Sequence, residues 1–204
     1  PLQRYTYGAA VQEFVELMSE LDPLRINLGA GTDILAGWLN HDVTALSGIA
    51  CVHDLNVRPW PWEDGSVTEI KAYDVLEHLD DFIPAMEEIW RILVPGGTCR
   101  ISVPYWNSWC AAADPTHRRG FHEITFHFFD PASPYCRSRP YYSSVRFDII
   151  EEEFVLAPGN PYFSIPGVGE ISVRGGIARR IVGIIGNYLI SNLIQDLRLV
   201  LRKS

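Results

Sequence analysis

The sequence predicts an α/β fold built on a mainly parallel sheet covered by helices, and three observations carry that prediction. Short apolar strands alternate with helical spacing through residue 103. Several of those strands run into an aspartate, and the segment "RINLGAG" passes from an apolar run into Gly29-Ala30-Gly31. Alternation of this kind calls for parallel strands buried on both faces. In open sheets of this class, ligands sit beyond the carboxyl ends of the strands.

The elements follow in order. Val11, Phe14, Val15, Met18 and Leu21 recur at helical spacing, which predicts a first amphipathic helix within residues 1–23, ending near Asp22-Pro23. Leu24 to Leu28 reads as a buried strand stopped by Gly29. "GWLNHDV", "IACVHDL" and "SVTEIKAYD" are further strands, each running into an acid. Ile83, Met86, Trp90 and Leu93 mark a helix, which Pro95-Gly96-Gly97 closes before the strand "TCRISVP". Beyond it lies an aromatic and histidine-rich stretch, 105–144. "SSVRFDIIEEEFVL" then reads as a strand, "APGNPYFSIPGVGE" as a loop and "GGIARRIVGIIGNYLISNL" as a helix, and alternating Leu197, Leu199 and Leu201 suit a last strand. With no repeat or linker, residues 1–204 read as one domain, with 24–104 as its ligand-binding core and 145–204 as its C-terminal strands and helix.

At 204 residues the chain can bury one sizeable core. A net charge of −8 disfavours nucleic acid, which needs a basic footprint. The charge is uneven: from Ile171 to Ser204 six Arg and Lys face one acid, Asp196. Four cysteines without a CxxC pair suit reduced thiols. The absence of a signal-peptide pattern or a membrane-spanning apolar run adds to the expectation of a cytoplasmic protein.

The glycines do not fit a phosphate-binding loop. No Gly-Lys-Ser/Thr follows them, and a dinucleotide fingerprint needs a glycine where Ile34 stands and an acid about 20 residues on. Three carboxylates at successive strand ends (Asp42, Asp54 and Asp74) repel a pyrophosphate but accept hydroxyls, amines and positive charge. S-adenosylmethionine (SAM) offers ribose hydroxyls, an adenine amino group, an ammonium and a sulfonium, and the glycines let the backbone pass beneath it.

The run "INLGAG…GWLNHDV…CVHDLN…PWPWEDGSVTEIKAYDVLEHLDD…EEIWRILVPGGTCRISVP" resembles class I SAM-dependent methyltransferases of the small, single-domain bacterial kind. The resemblance covers residues 24–130, including "DPTHRRGFHEITFHFFDP", with a weaker echo in "QDLRLVLRK". It implies a Rossmann-like, seven-stranded sheet with an antiparallel last strand and helices on both faces. It also implies SAM as cofactor and S-adenosylhomocysteine (SAH) as product. Asn27, Leu28, Gly29, Ala30 and Gly31 would lie under the methionyl end, Asp42 on the ribose, and Asp54 with Leu55 at the adenine. Tyr73, Asp74 and His78 would stand near the sulfonium. The chain departs from the family pattern twice: Asp33 replaces a customary third glycine, and the first crossover is too short for a full helix.

The acceptor is expected after the fifth strand, walled by Tyr105, Trp106 and Trp109, with Arg118 and Arg119 available to an anionic group. His117 is the first choice for a general base, with Tyr105 beside it. His117, His122 and His127 stand at five-residue steps, which share no helix face, so they do not read as a zinc cluster. Asp74-x-x-Glu77-His78 with His117 is, however, similar to the Glu-x-x-Glu-His…His metal pattern of small-RNA 2′-O-methyltransferases. The expectation is methyl transfer to a small-molecule O or N acceptor. The alternatives are metal-assisted O-methylation of a vicinal diol, catechol or RNA 3′ end, and a non-catalytic SAM-binding scaffold. A homodimer stays open.

Overall fold

The first crossover is where the chain departs furthest from a regular α/β plan. β1 (Leu24–Leu28) and β2 (Leu39–Asp42) pair in parallel, Ile26 against Leu39, with no helix between them. Asn40 does part of what a crossover helix would do. Leu35 N–H donates to its Oδ1, and its Nδ2 donates to Leu35 O and Trp38 O. Asn27 Nδ2 donates to the same Asn40 Oδ1 and to Asp33 O. The loop's backbone is thus satisfied by two buried amides, as irregular backbone near a core requires. The computed structural model describes residues 23–156, 159–160, 163–164 and 169–204, so the helix expected within residues 1–23 lies outside the described residues.

The chain continues through β3 (Cys51–Val52), β4 (Val67–Tyr73), α1 (Phe82–Ile92) and β5 (Leu93–Pro104). Three short helices follow: α2 (Trp109–Ala113), α3 (Glu123–His127) and α4 (Pro134–Ser138). Then come β6 (Phe147–Leu156), the small pair β7 (Gly159–Asn160) and β8 (Phe163–Ser164), β9 (Ile171–Arg174), α5 (Gly176–Tyr188) and β10 (Asp196–Lys203). The main sheet has eight strands in the order β3-β2-β1-β4-β5-β10-β6-β9. β10 inserts antiparallel between β5 and β6, Leu199 facing Ile101 on one side and Glu152 on the other. The expected antiparallel last strand is therefore present. The eighth strand is β9, paired antiparallel on the edge of β6, where the sequence predicts only the end of a loop.

Burial follows the strand pattern. Ile26, Ile70, Ala72, Cys99, Ile101, Val103, Leu197 and Leu201 are wholly enclosed. In α1 the inward residues are Phe82, Ala85, Met86, Ile89 and Ile92. The predicted stripe through Ile83 and Trp90 is rotated by one position, so these two sit at its flank, partly buried against the core. Both sets obey helical spacing, and periodicity alone does not choose between adjacent stripes. Phe82 at the start of α1 packs edge-on against Phe121, Phe126 and Phe129. That cluster anchors the chain after β5 onto the helix that precedes it. The site is thereby set between the carboxyl ends of β1, β4 and β5.

Candidate functional site

The glycine loop closes on its own strand. Gly29 and Gly31 have φ of 58° and 51°, the left-handed region that favours glycine. A Cβ on Gly29 would stand 2.4 Å from Val75 Cγ2, whereas one on Gly31 would enter open space. All three backbone N–H groups are engaged: Gly29 with His41 Nδ1 at 3.5 Å, Ala30 with His41 O at 2.8 Å and Gly31 with Asp42 Oδ2 at 2.9 Å. His41 is fixed as the neutral tautomer that accepts at Nδ1 and donates from Nε2 to His53 O. Burial holds its pKa down at about 4. A phosphate site at a glycine loop works through free N–H groups. This loop has spent its own on β2, which fits the exclusion of a dinucleotide.

Above the loop lies a cavity of about 280 Å³ lined by Asn27, Gly29, Ala30, Thr32, Asp33, Lys71, Tyr73 and Asp74. Lys71 pairs with Asp33 and stands 4.7 Å from the Tyr73 ring centre. Asp74 follows β4 with a φ of 56°, the strained turn that ends the strand. Burial raises its pKa, opposed by the charges of Arg198, His117, His78 and Lys71. Positive and negative groups thus share one cavity, as a zwitterionic ligand with an added cation requires. Asp42 sits at the end of β2 with its oxygens on Gly31 N–H and Thr44 N–H. Asp54 lies exposed after β3, capping Asn56 N–H, while Leu55 is buried beneath Trp60.

On the acceptor side the predicted residues divide. Trp106 is 48% exposed and its Nε1 donates to Asn187. Trp109 is half-buried at the start of α2. Tyr105 is 0% exposed, and its hydroxyl donates to Glu123 Oε2 at 2.6 Å with Asn187 Oδ1 3.0 Å away. Burial, then the Glu123 carboxylate, pushes its pKa far up. As a correction to the expectation of a wall or a base, Tyr105 is a tie from β5 to α3 and α5. Arg119 donates to Leu79 O and Asp80 O, and Arg118 pairs with Asp80 at 3.1 Å. The two arginines therefore clasp the loop after β4. His122 caps α3 and His127 lies 3.4 Å from Glu152.

His117 lies beside His78, ring centres 4.7 Å apart and edge to face, with Glu77 next to both. Of the four residues in the metal pattern, these three come together among the described residues and Asp74 is outside the group. Lys71, Thr32 and Asp33 line the cavity above the glycine loop without having been predicted. A lysine among the apolar residues of an interior strand was the signal available for Lys71.

Residues 29–101 match the family model described as a methyltransferase domain. Over those residues, about a third of the chain, the sequence is similar to that family. Its fold is that of solved structures which it resembles at low identity. One is a SAM-dependent methyltransferase from Thermotoga maritima described as a possible histamine N-methyltransferase, with 14% identity, 95% of this chain and 89% of that one covered, and a TM-score of 0.58. Another is a SAM-dependent methyltransferase from Archaeoglobus fulgidus, with 15% identity, 96% and 92% covered, and a TM-score of 0.55. A third is the [4+2]-cyclase SpnF, with 15% identity, 98% and 83% covered, and a TM-score of 0.51. Comparison with curated protein sequences finds no match. In this fold the order β3-β2-β1-β4-β5-β10-β6 places the glycine loop and Asp74 on adjacent strand ends, β1 beside β4.

Proposed function

We propose that the protein transfers a methyl group from SAM to a small-molecule oxygen or nitrogen acceptor in a reducing, cytoplasmic setting. The carrying observation is the cavity over the glycine loop, whose walls combine Lys71, Asp33 and Asp74 while the loop's N–H groups are already engaged. Bound there, SAM supplies a methyl on a positively charged sulfur. Residues Asn27 to Gly31 shape the floor for its methionyl end, and Lys71 matches its carboxylate. Asp42 faces the ribose, Asp54 and Leu55 the adenine, and Tyr73, Asp74 and His78 the sulfonium end. A carboxylate near a sulfonium favours binding through charge.

Trp106 and Trp109 offer the acceptor an apolar wall, and His117 stands at its edge to hold a proton. Holding the two reactants in line supplies about 7–11 kcal/mol of catalysis, and a positioned base a further 10²–10⁴-fold. No described helix is long and apolar enough to cross a membrane. The four thiols, all free, suit a reducing compartment. Incubation with SAM labelled at the methyl carbon, against a panel of small amines, phenols and diols, tests the reading. Label passing to an acceptor supports it. Binding of SAM without transfer to any acceptor, water included, would move the scaffold reading to first place.

A further inference from the structure

Glu77 is 1% exposed, and neither of its carboxylate oxygens has a hydrogen-bond partner. The charges around it are acidic too: Asp74, Asp196 and Asp114. A buried carboxylate without donors is costly, and an unpartnered buried polar group asks for a ligand or an ion. His117 Nδ1 is likewise buried and unpartnered. One donor atom from each of Glu77, His78 and His117 lies within 4.8 Å of the others. We propose that these three side chains hold a divalent cation of the zinc class at the carboxyl edge of the sheet.

The backbone builds the cluster from two directions. Glu77 and His78 lie in the turn that follows β4, and His117 comes from the turn after α2. Arg118 N–H donates to Glu77 O at 2.7 Å, which clamps one turn to the other, and His117 N–H donates to Asp114 O at 3.2 Å within the second turn. His78 is also oriented from behind. Its Nδ1 is 3.0 Å from Thr116 Oγ1, whose hydroxyl donates to Asp114 Oδ1 at 2.6 Å. With that hydroxyl proton committed to Asp114, His78 Nδ1 carries its proton toward Thr116, and Nε2 is left as the ligand atom. A ligating histidine whose other nitrogen is held by a polar chain is the usual arrangement at metal sites.

The donor set decides the ion. Two imidazoles and one carboxylate suit zinc and its neighbours, whereas magnesium and calcium take oxygen ligands. In a tetrahedral shell with bonds of about 2.1 Å, donor atoms sit ~3.4 Å apart, so small side-chain rotations close the cluster on an ion. Three protein ligands leave a position open, the pattern of catalytic rather than structural zinc. The set is one acid shorter than the four-residue pattern that the sequence suggests, because Asp74 lies outside the group. On the methyl-transfer reading, the open position receives an oxygen of the acceptor and lowers its pKa, so that with the cation bound His117 acts as a ligand and not as the base. The cation site itself does not depend on that reading.

Chelator-treated protein titrated with Zn²⁺, and with Co²⁺ followed by its visible absorption, tests the site. One equivalent per chain is expected. Glu77→Gln and His117→Ala should each lose at least ~100-fold in affinity, and Thr116→Val about 10–100-fold through His78. His53→Gln, in the turn after β3, should bind as the parent does. Glu77→Gln keeps the shape of the side chain, and its folding is checked by circular dichroism. Uptake of less than one equivalent by the parent, or full uptake by Glu77→Gln, overturns the site. SAH titrated into the same samples separates the two readings, since cation binding with no SAH binding would sink only the methyltransferase role.

Discussion

The two halves of the site differ in how their buried polar groups are satisfied. Around the glycine loop, Asn27, Asn40 and His41 are buried and each is hydrogen-bonded within the chain. Across the carboxyl edge, Glu77 Oε1 and Oε2, His117 Nδ1, Trp109 Nε1 and Asn107 Oδ1 are buried with no partner. The first half is finished before any ligand arrives, which is how a binding site avoids ordering costs on association. The second half, though tied together by Tyr105 and Arg119, keeps these buried atoms without a partner in the chain. On the proposed reading, the cofactor side and the acceptor side of one sheet differ in how their buried polar atoms are satisfied.

The comparison breaks most readily at Gly29. Gly29→Val places a β-branched residue at a φ of 58° with its Cβ against Val75. The expected loss is about 3–5 kcal/mol of stability in urea denaturation, from backbone strain and overpacking together. Next is Asn40→Ala, which leaves Leu35 N–H without its acceptor and removes one of the two acceptors of Asn27 Nδ2, Asp33 O remaining. A loss of roughly 2–3 kcal/mol is expected by the same measurement. Retention of full stability in Asn40→Ala would mean that the loop is held by something other than its two amides.

A smaller effect is expected from pH. His41 is held neutral down to about pH 4 by burial, whereas the unfolded chain takes up its proton near 6.5. Between those values the unfolded state binds more protons, so this contribution to stability is present above pH 6.5 and falls as the pH drops toward 4. The slope approaches 1.4 kcal/mol per pH unit at most. Melting curves of the parent and His41→Gln between pH 7 and 5 measure it, and the variant should show the shallower decline. Smallest of all is Arg118→Ala on the acceptor side. The Arg118–Asp80 pair is exposed on both partners, and its loss should cost less than ~1 kcal/mol.

Much of the fold was legible because burial writes itself as period and length. β1, β4, β6 and β10 lie where apolar runs predict them, and of the strand-end acids Asp74 lines the cavity above the glycine loop. Three things were not legible. β9 is an exposed edge strand, so its residues carry no burial pattern. The stripe of α1 was displaced by one position because two sets of residues share helical spacing. Tyr105 reads in sequence as part of the acceptor wall, and only the approach of Glu123 and Asn187 reveals it as a buried tie. Of the residues around the cavity, Gly29 and Asp74 are ones that their strand-end positions single out in sequence. Lys71 and Asp33 meet only through the pairing of β4 with β1, which places residues far apart in sequence side by side.

Calorimetric titration of the intact chain with SAM and SAH, with NAD as a control, tests the central claim most directly. The account predicts one-to-one binding of both sulfur nucleosides and none of NAD. Binding of NAD, or no binding of SAH, would contradict it.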